Sequence, residues 1–470
     1  MARNGHSLLV EKMKMTQKLI QYAILGLAVS GLAACGTNAD TVAFEGERIS
    51  VLNYEAQLTV DPRLKDQPVS LLPPFENTQW SNPGGFATHA AYHLALTGLS
   101  PAFAVDFVEG NDADLRFKAP PVIGEGKVFA MGSALDVVAI DEQTGAPIWQ
   151  QSVLATYREP NTSLTRFLGF GDKPADIEDG FGGGIAYEGG RLFVTTGFGE
   201  ILALSAQTGE ILWRVQNNVP FSNAPTVRKG RLYVVSQDSR LQVLSTEDGS
   251  RSWEHLAITE QASILAASSP AVSDQVVVAG FSSGEVVALN NINGSVIWSD
   301  SLSSRATQVT PLSELNAIVG RPVIDRDRVF VTSHGGRTAA IDLRSGERLW
   351  TADVGSIETP WVLADFILLM SLDGDLICLS REQGRVRWVA PLGGYEDPDD
   401  REDRIRWAGP VVAGGQILVV SSDGRLVSID PSNGAIGETL ELDENVSVPP
   451  IVANGTLFVL TDEGTLVARR

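Results

Sequence analysis

The chain of 470 residues holds two cysteines, Cys35 and Cys378, and five histidines. So few thiols exclude a disulfide-stapled scaffold, and so few imidazoles leave little material for a metal site. Positive charge is scarce as well: 36 Lys and Arg stand against 57 Asp and Glu, a net charge of −21. A nucleic-acid binder needs a basic footprint, and a grip on anionic lipid needs a polybasic one; the composition offers neither. Glycine, in contrast, is plentiful at 46 residues, which favours many tight turns. Hydrophobic residues make up 43% and charged residues 20%, so the chain is able to bury a sizeable core and is not of disordered type.

Lys12, Lys14 and Lys18 form a positive start, and 19–34 is an uncharged apolar run. That run is short of the ~20 residues of a membrane span and ends in small residues, as a cleaved signal does. Leu32-Ala33-Ala34-Cys35 looks like a bacterial lipobox. This resemblance implies a signal peptide over 1–34, lipidation at Cys35 and, with Gly36 next, an address on the periplasmic face of the outer membrane. An ordinary signal with a coincidental cysteine is the plainer alternative. Removing residues 1–34 takes away four positive charges and one negative, leaving −24. Residues 35–74 read as a lipid-anchored tether. Cys378 lies in an apolar strand pattern and reads as a buried structural thiol.

An internal repeat organises the rest. Trp149, Trp213, Trp253, Trp298, Trp350 and Trp388 each follow a glycine by four residues: Gly145, Gly209, Gly249, Gly294, Gly346 and Gly384. Counting back 28 residues from each Trp reaches Pro121, Ile185, Pro225, Pro270, Pro322 and Pro360. Two degenerate copies start at Pro410 and Pro450; in the first, Glu438 replaces the Trp, and the second ends with the chain at Arg470. Each copy holds β-branched runs punctuated by Gly, Asp or Asn, such as Arg328-Val-Phe-Val-Thr-Ser, which are strands rather than helices. Four short strands per ~40 residues make a propeller blade. The fold class is therefore all-β: an eight-bladed β-propeller of four-stranded antiparallel blades over 75–470. The last copy lacks an outer strand, and an open ring would expose sheet edges. An N-terminal strand is expected to close it, pairing 102–107 with 465–468 and placing Phe103 in the Trp slot. The tryptophans serve as structural blade residues that cover the neighbouring blade, and their glycines supply positive φ in the turn.

The connections between copies differ in length, and the long ones all join an outer strand to the next inner strand. They should share one face with the turns between second and third strands. That face, with 150–184, 254–269, 299–321 and 389–409, is the candidate interaction surface.

The lipobox, the eight repeat copies and several stretches together resemble the PQQ-type propeller repeats and, within them, the outer-membrane protein assembly factor BamB family in its alphaproteobacterial form. Those stretches are Trp80-Ser-Asn-Pro-Gly-Gly with His89 and His93, Ala267-Ser-Ser-Pro-Ala-Val, Leu312-Ser-Glu-Leu-Asn, Tyr395-Glu-Asp-Pro and Trp407-Ala-Gly-Pro. The resemblance implies a scaffold lipoprotein with no catalytic residue, metal or cofactor. Its implied partners are the POTRA domains of a BamA-like insertase and other assembly-machinery lipoproteins. Unfolded outer-membrane protein clients, extended and apolar, are a separate reading that ranks below POTRA binding; they would add to a blade edge. Carried over by position, the partner contacts are Ile264 and Leu265 in the loop before Pro270, and Glu314 and Asn316 in the longer loop before Pro322. The family has an arginine where Leu265 stands, so that contact is lost here.

Other readings stand beside this one. A propeller lipoprotein of a different envelope complex would share fold, anchor and location. A quinoprotein dehydrogenase would share the repeat, but such enzymes carry an adjacent Cys-Cys pair that this chain lacks. Gly180-Phe-Gly-Gly-Gly has no Gly-Lys-Ser/Thr behind it and reads as the flexible end of a blade loop rather than a phosphate cradle. His89 and His93, four apart, would share a face if helical; without a third ligand their role is structural. The charged loop from Asp397 to Arg404 is a solvated surface or a partner-recognition element.

Overall fold

The computed structural model describes residues 58–111, 119–154, 182–258, 268–302, 316–397 and 400–470. The described residues form eight four-stranded antiparallel sheets and one two-stranded hairpin. In sequence order the sheets span 122–152, 183–216, 226–256, 271–301, 323–352, 361–391, 407–441 and 451–469; we number these blades 1 to 8. The inner strands are buried, and most are short, as in Val122–Gly124, while outer strands carry exposed residues, as in Ile211–Gln216 with its alternation of half-buried and exposed side chains. That contrast follows from position: an inner strand has neighbours on both faces, and an outer strand has water on one side.

Blade 8 receives its outer strand from the other end of the chain. Pro101–Asp106 pairs antiparallel with Thr465–Arg469, matching Phe103 to Ala468 and Asp106 to Thr465. The expected closure is therefore formed, and the outer edge of Thr465–Arg469 is covered.

The seams explain the repeat. Each Trp indole lies on the next blade and donates its Nε1–H to a carbonyl there, Trp149 to Ala206, Trp213 to Thr246, Trp253 to Asn291, Trp298 to Leu343, Trp350 to Arg381 and Trp388 to Pro431, at 2.9–3.3 Å. Its ring also covers the next blade's repeat glycine. A Cβ built on Gly384 would sit 2.4 Å from the Trp350 ring, and Gly384 has φ +66°. Two constraints thus fall on one position, positive φ and an indole overhead. Phe103 covers Gly145 in the same way and completes the seam from blade 8 to blade 1. Burying an aromatic ring at a seam stabilises it by ~2–3 kcal/mol. Directly across from each Trp stands a small or β-branched residue: Ala139, Ala203, Val243, Ala288, Ala340 and, in blade 6, Cys378. Cys378 thus fills an alanine-sized slot under Trp388; it is fully buried, and burial pushes its thiol pKa up.

Residues 77–97 make a second closure. This segment passes the inner strands in order and bonds every blade. Asn77 meets Val452 and Asn454 of blade 8. The Trp80, Ser81, Ala87 and Thr88 carbonyls accept from the N–H groups of Ile123, Tyr187, Val272 and Ile324, and the Asn82 side chain accepts from Val227. Tyr92 O accepts from the Trp361 indole, Leu94 exchanges bonds with Val412 and Gly414, and Thr97 returns to Gly455 in blade 8. The bonded positions adjoin the first turn of each blade, so the segment lies toward the tight-turn face. His89 and His93 belong to it, and no helix holds them. The Nδ1 of His89 bonds Pro322 O at 2.8 Å; His93 bonds Leu72 O and accepts from Gly415 N. Their spacing of four thus brings them to different blades.

The chain before this segment is also seated on the propeller. Asp61 donates its N–H to Val386 O and pairs with Arg385 at 3.1 Å, and Arg387 bonds Gln67 O. Asp61 and Gln67, within the expected tether, therefore lie against blade 6.

Candidate interaction face

Outer strands end beside the turns that join second to third strands. Val153 N–H donates to Leu135 O, Asn217 to Gly199 O, Ala257 to Ser239 O, Leu302 to Gly284 O, Leu392 to Gly374 O and Leu442 to Gly424 O. The long connections consequently leave from one face, as their common strand order requires. The opposite face carries the short turns and the 77–97 segment.

Of the expected contact residues, Ile264, Leu265 and Glu314 lie outside the described residues, as does Cys35. Asn316 is described. It is half-buried, and its backbone carbonyl and Cβ press on Gly284 in the turn of blade 4. The returning ends of the 254–269 and 299–321 connections meet there. A Cβ on Gly280 would lie 2.4 Å from Ile318 and 3.3 Å from Ser268, and Ile318 N–H donates to Phe281 O. The described part of the first connection begins with two exposed apolar side chains, Leu256 and Ile258. His255 beside them faces the Phe281 ring at 6.4 Å, and burial lowers its pKa.

Charged groups line the inner rim of this face at blades 5 and 6. Burial raises the Glu358 carboxyl to about 7, against the pull of nearby Arg321 and of the Gly409 N–H, although solvent still touches part of its surface. Arg321 donates to Thr359 Oγ1 at 3.1 Å, and burial lowers its pKa. The charged loop of 389–409 forms a projecting hairpin, Tyr395–Asp397 against Glu402–Arg404, with the latter three residues exposed. Gly183 and Gly184 do not form a flexible loop end, as the sequence suggested. They start the inner strand of blade 2, where a Cβ would meet Thr195 O at 2.0 Å or Ala119 and Ala224 at 2.6 Å. Crowding, rather than mobility, selects glycine there. Among the described residues no three His, Cys, Asp or Glu side chains converge as a metal centre would need, and no helix is long and apolar enough to cross a membrane.

Comparison with known proteins adds to this geometry. The family described as "Outer membrane protein assembly factor BamB" matches residues 136–390 and 400–469. A curated relative of that name from Yersinia pestis is 27% identical over 342 residues, 73% of this chain and 81% of its own length. Among solved structures, BamB from Moraxella catarrhalis superposes with a TM-score of 0.60 at 19% identity, covering 79% of this chain and 97% of that one. A quinohemoprotein alcohol dehydrogenase from Comamonas testosteroni superposes equally, at 0.60 and 13% identity, covering 87% and 82%. Likeness at such identity carries the propeller alone, so the backbone does not separate scaffold from dehydrogenase. The sequence match is to the BamB family.

Proposed function

The chain belongs to the outer membrane protein assembly factor BamB family, and from that membership we propose that it is a non-catalytic scaffold of the machinery that inserts β-barrel proteins into the outer membrane. It binds the periplasmic POTRA domains of a BamA-type insertase and is held on the periplasmic face of the membrane by a lipid on Cys35. The observation that carries this reading is the family match over more than two thirds of the chain, including all of 183–352 and 407–469. The geometry supports it. The described ends of two long connections, Ser268 and Ile318, meet at Gly280 and Phe281 on one face of the ring, and exposed Leu256 and Ile258 offer apolar surface at the start of the first. A rigid scaffold under variable loops suits recognition, because little order is lost when the partner arrives. Interface cores are commonly apolar with a polar rim, which fits these residues and the charged hairpin beyond them.

The test is a pull-down of the chain from Gly36 onward against purified POTRA domains of the same organism's insertase. Saturable binding is expected, weakened at least tenfold by Leu265→Asp or Glu314→Arg. No binding by a folded propeller would move the function to another envelope partner.

A further inference from the structure

The repeat permits a comparison within the molecule. Arg191, Arg231 and Arg328 occupy one repeat position, the first residue of the second strand in blades 2, 3 and 5. Each donates from Nη1 to a carbonyl in the outer turn of the next blade: Thr246 O at 2.9 Å, Asn291 O at 2.5 Å and Arg381 O at 2.7 Å. In two of the three grooves the following residue supplies a carboxylate to the other guanidinium nitrogen. Glu247 takes Arg191 at 3.1 Å, and Glu382 takes Arg328 at 2.5 Å. In the groove between blades 3 and 4 the equivalent residue is Ile292, 73% exposed. The seat that two sister blades fill with a glutamate is here filled by no carboxylate of the same position.

The surrounding charge is reversed to match. Arg228 and Lys229 enter the same groove from the first turn of blade 3 and share one carboxylate, both meeting Asp274 Oδ1 at 2.7 Å. The lining thus carries three cations and one anion around a cavity of about 310 Å³. In the blade 5 groove, Arg326, Arg328 and Arg381 are matched by Asp325, Asp327 and Glu382. A net positive groove stands out on a chain of charge −21, where the long-range field repels anions and only local cations are able to hold one. Tyr233 fixes the floor, its hydroxyl donating to Asn291 Oδ1.

We propose that the groove between blades 3 and 4 on the tight-turn face is a docking site for an acidic segment of a partner protein, with a carboxylate of that segment bound at Arg231 where Glu247 and Glu382 sit in the sister grooves. Arg228 and Lys229 hold a second acidic side chain, and Ile292 gives the segment an apolar rim contact. The site lies on the face opposite the long connections, so it is separate from the surface of the proposed insertase contact and does not depend on that reading.

The test uses hexaglutamate as probe, titrated into the chain from Gly36 onward at low ionic strength, with hexalysine and inorganic phosphate as parallel arms. Binding of hexaglutamate, weakening as salt rises, is expected. Ile292→Glu restores the internal carboxylate and should weaken it at least tenfold, while Ile292→Gln, of like size without charge, leaves it within twofold. Lys229→Gln, at a side chain 71% exposed, should weaken it several-fold without disturbing the fold. A melting temperature that rises in I292E but not in I292Q reads the same seat without ligand. Equal binding by I292E and the parent chain overturns the proposal, as does binding of phosphate with none of hexaglutamate, or of neither by the folded chain.

Discussion

At the scale of single residues, the seam depends on an indole that does two things. It buries a large ring, and it satisfies a carbonyl that the next blade's turn would otherwise leave with one partner fewer. The two separate by substitution. Trp350→Phe keeps the ring and loses the bond to Arg381 O, an expected cost of ~1 kcal/mol; Trp350→Ala loses both, at ~3–5 kcal/mol. Gly384→Ala meets both the positive φ and the Trp350 ring, so it should cost more than ~2 kcal/mol, beyond backbone strain alone. Denaturant unfolding of the three variants checks the order. His89 supplies a pH test. Burial, with nearby Arg321, lowers its pKa to about 3, so the folded chain holds it neutral. In the unfolded chain it takes up a proton below ~6.5. Between those values the unfolded state binds more protons, and acidification through that window removes stability. Asparagine at 89 has no proton to gain and tolerates the φ of +62° found there. The stability of His89→Asn relative to the parent should therefore rise steadily as pH falls from 6.5 to 4. A difference that stays constant over that range would show that the imidazole is not held neutral.

Among the elements, the blades and the closing strand were legible from the sequence, whereas the 77–97 segment was not. The Gly and Trp spacing could be read because side chains carry it: only glycine fits under the indole, and Phe103 could be placed in the Trp slot by shape. The inner segment bonds chiefly through backbone carbonyls of Trp80, Ser81, Ala87 and Thr88, which any residue provides, so no pattern marks it. Side-chain bonds from Asn77, Asn82, His89 and His93 left a trace. Gly183 and Gly184 were misread for a related reason, since crowding by a neighbouring backbone and mobility both select glycine. The candidate contact residues came from resemblance, and three of the four fall outside the described residues. The inner segment predicts a hydrogen-exchange pattern. Ile123, Tyr187, Val227, Val272 and Ile324 amides should exchange as slowly as those of the central strands, because 77–97 holds them. Starting the chain at Gly98 should speed their exchange more than tenfold while leaving the middle strands of each blade protected. Unchanged protection would mean that the segment covers the inner strands without restraining them.

For the whole molecule, two closures of different kind make one rigid ring: an antiparallel strand at the outside of blade 8 and a segment linking all eight inner strands. A ring held at both radii suits a scaffold, because its loops keep their relative positions when a partner binds. It also gives the two faces distinct properties, with long connections on one and tight turns, the inner segment and the cationic groove on the other. The long-connection face is the surface proposed to receive the POTRA domains. Hydrogen exchange of the chain, alone and saturated with those domains, tests it most directly. New protection is expected over 254–269 and 299–321, with none in the tight turns of the opposite face. Protection confined to that opposite face, or no change anywhere on a saturated complex, would contradict it.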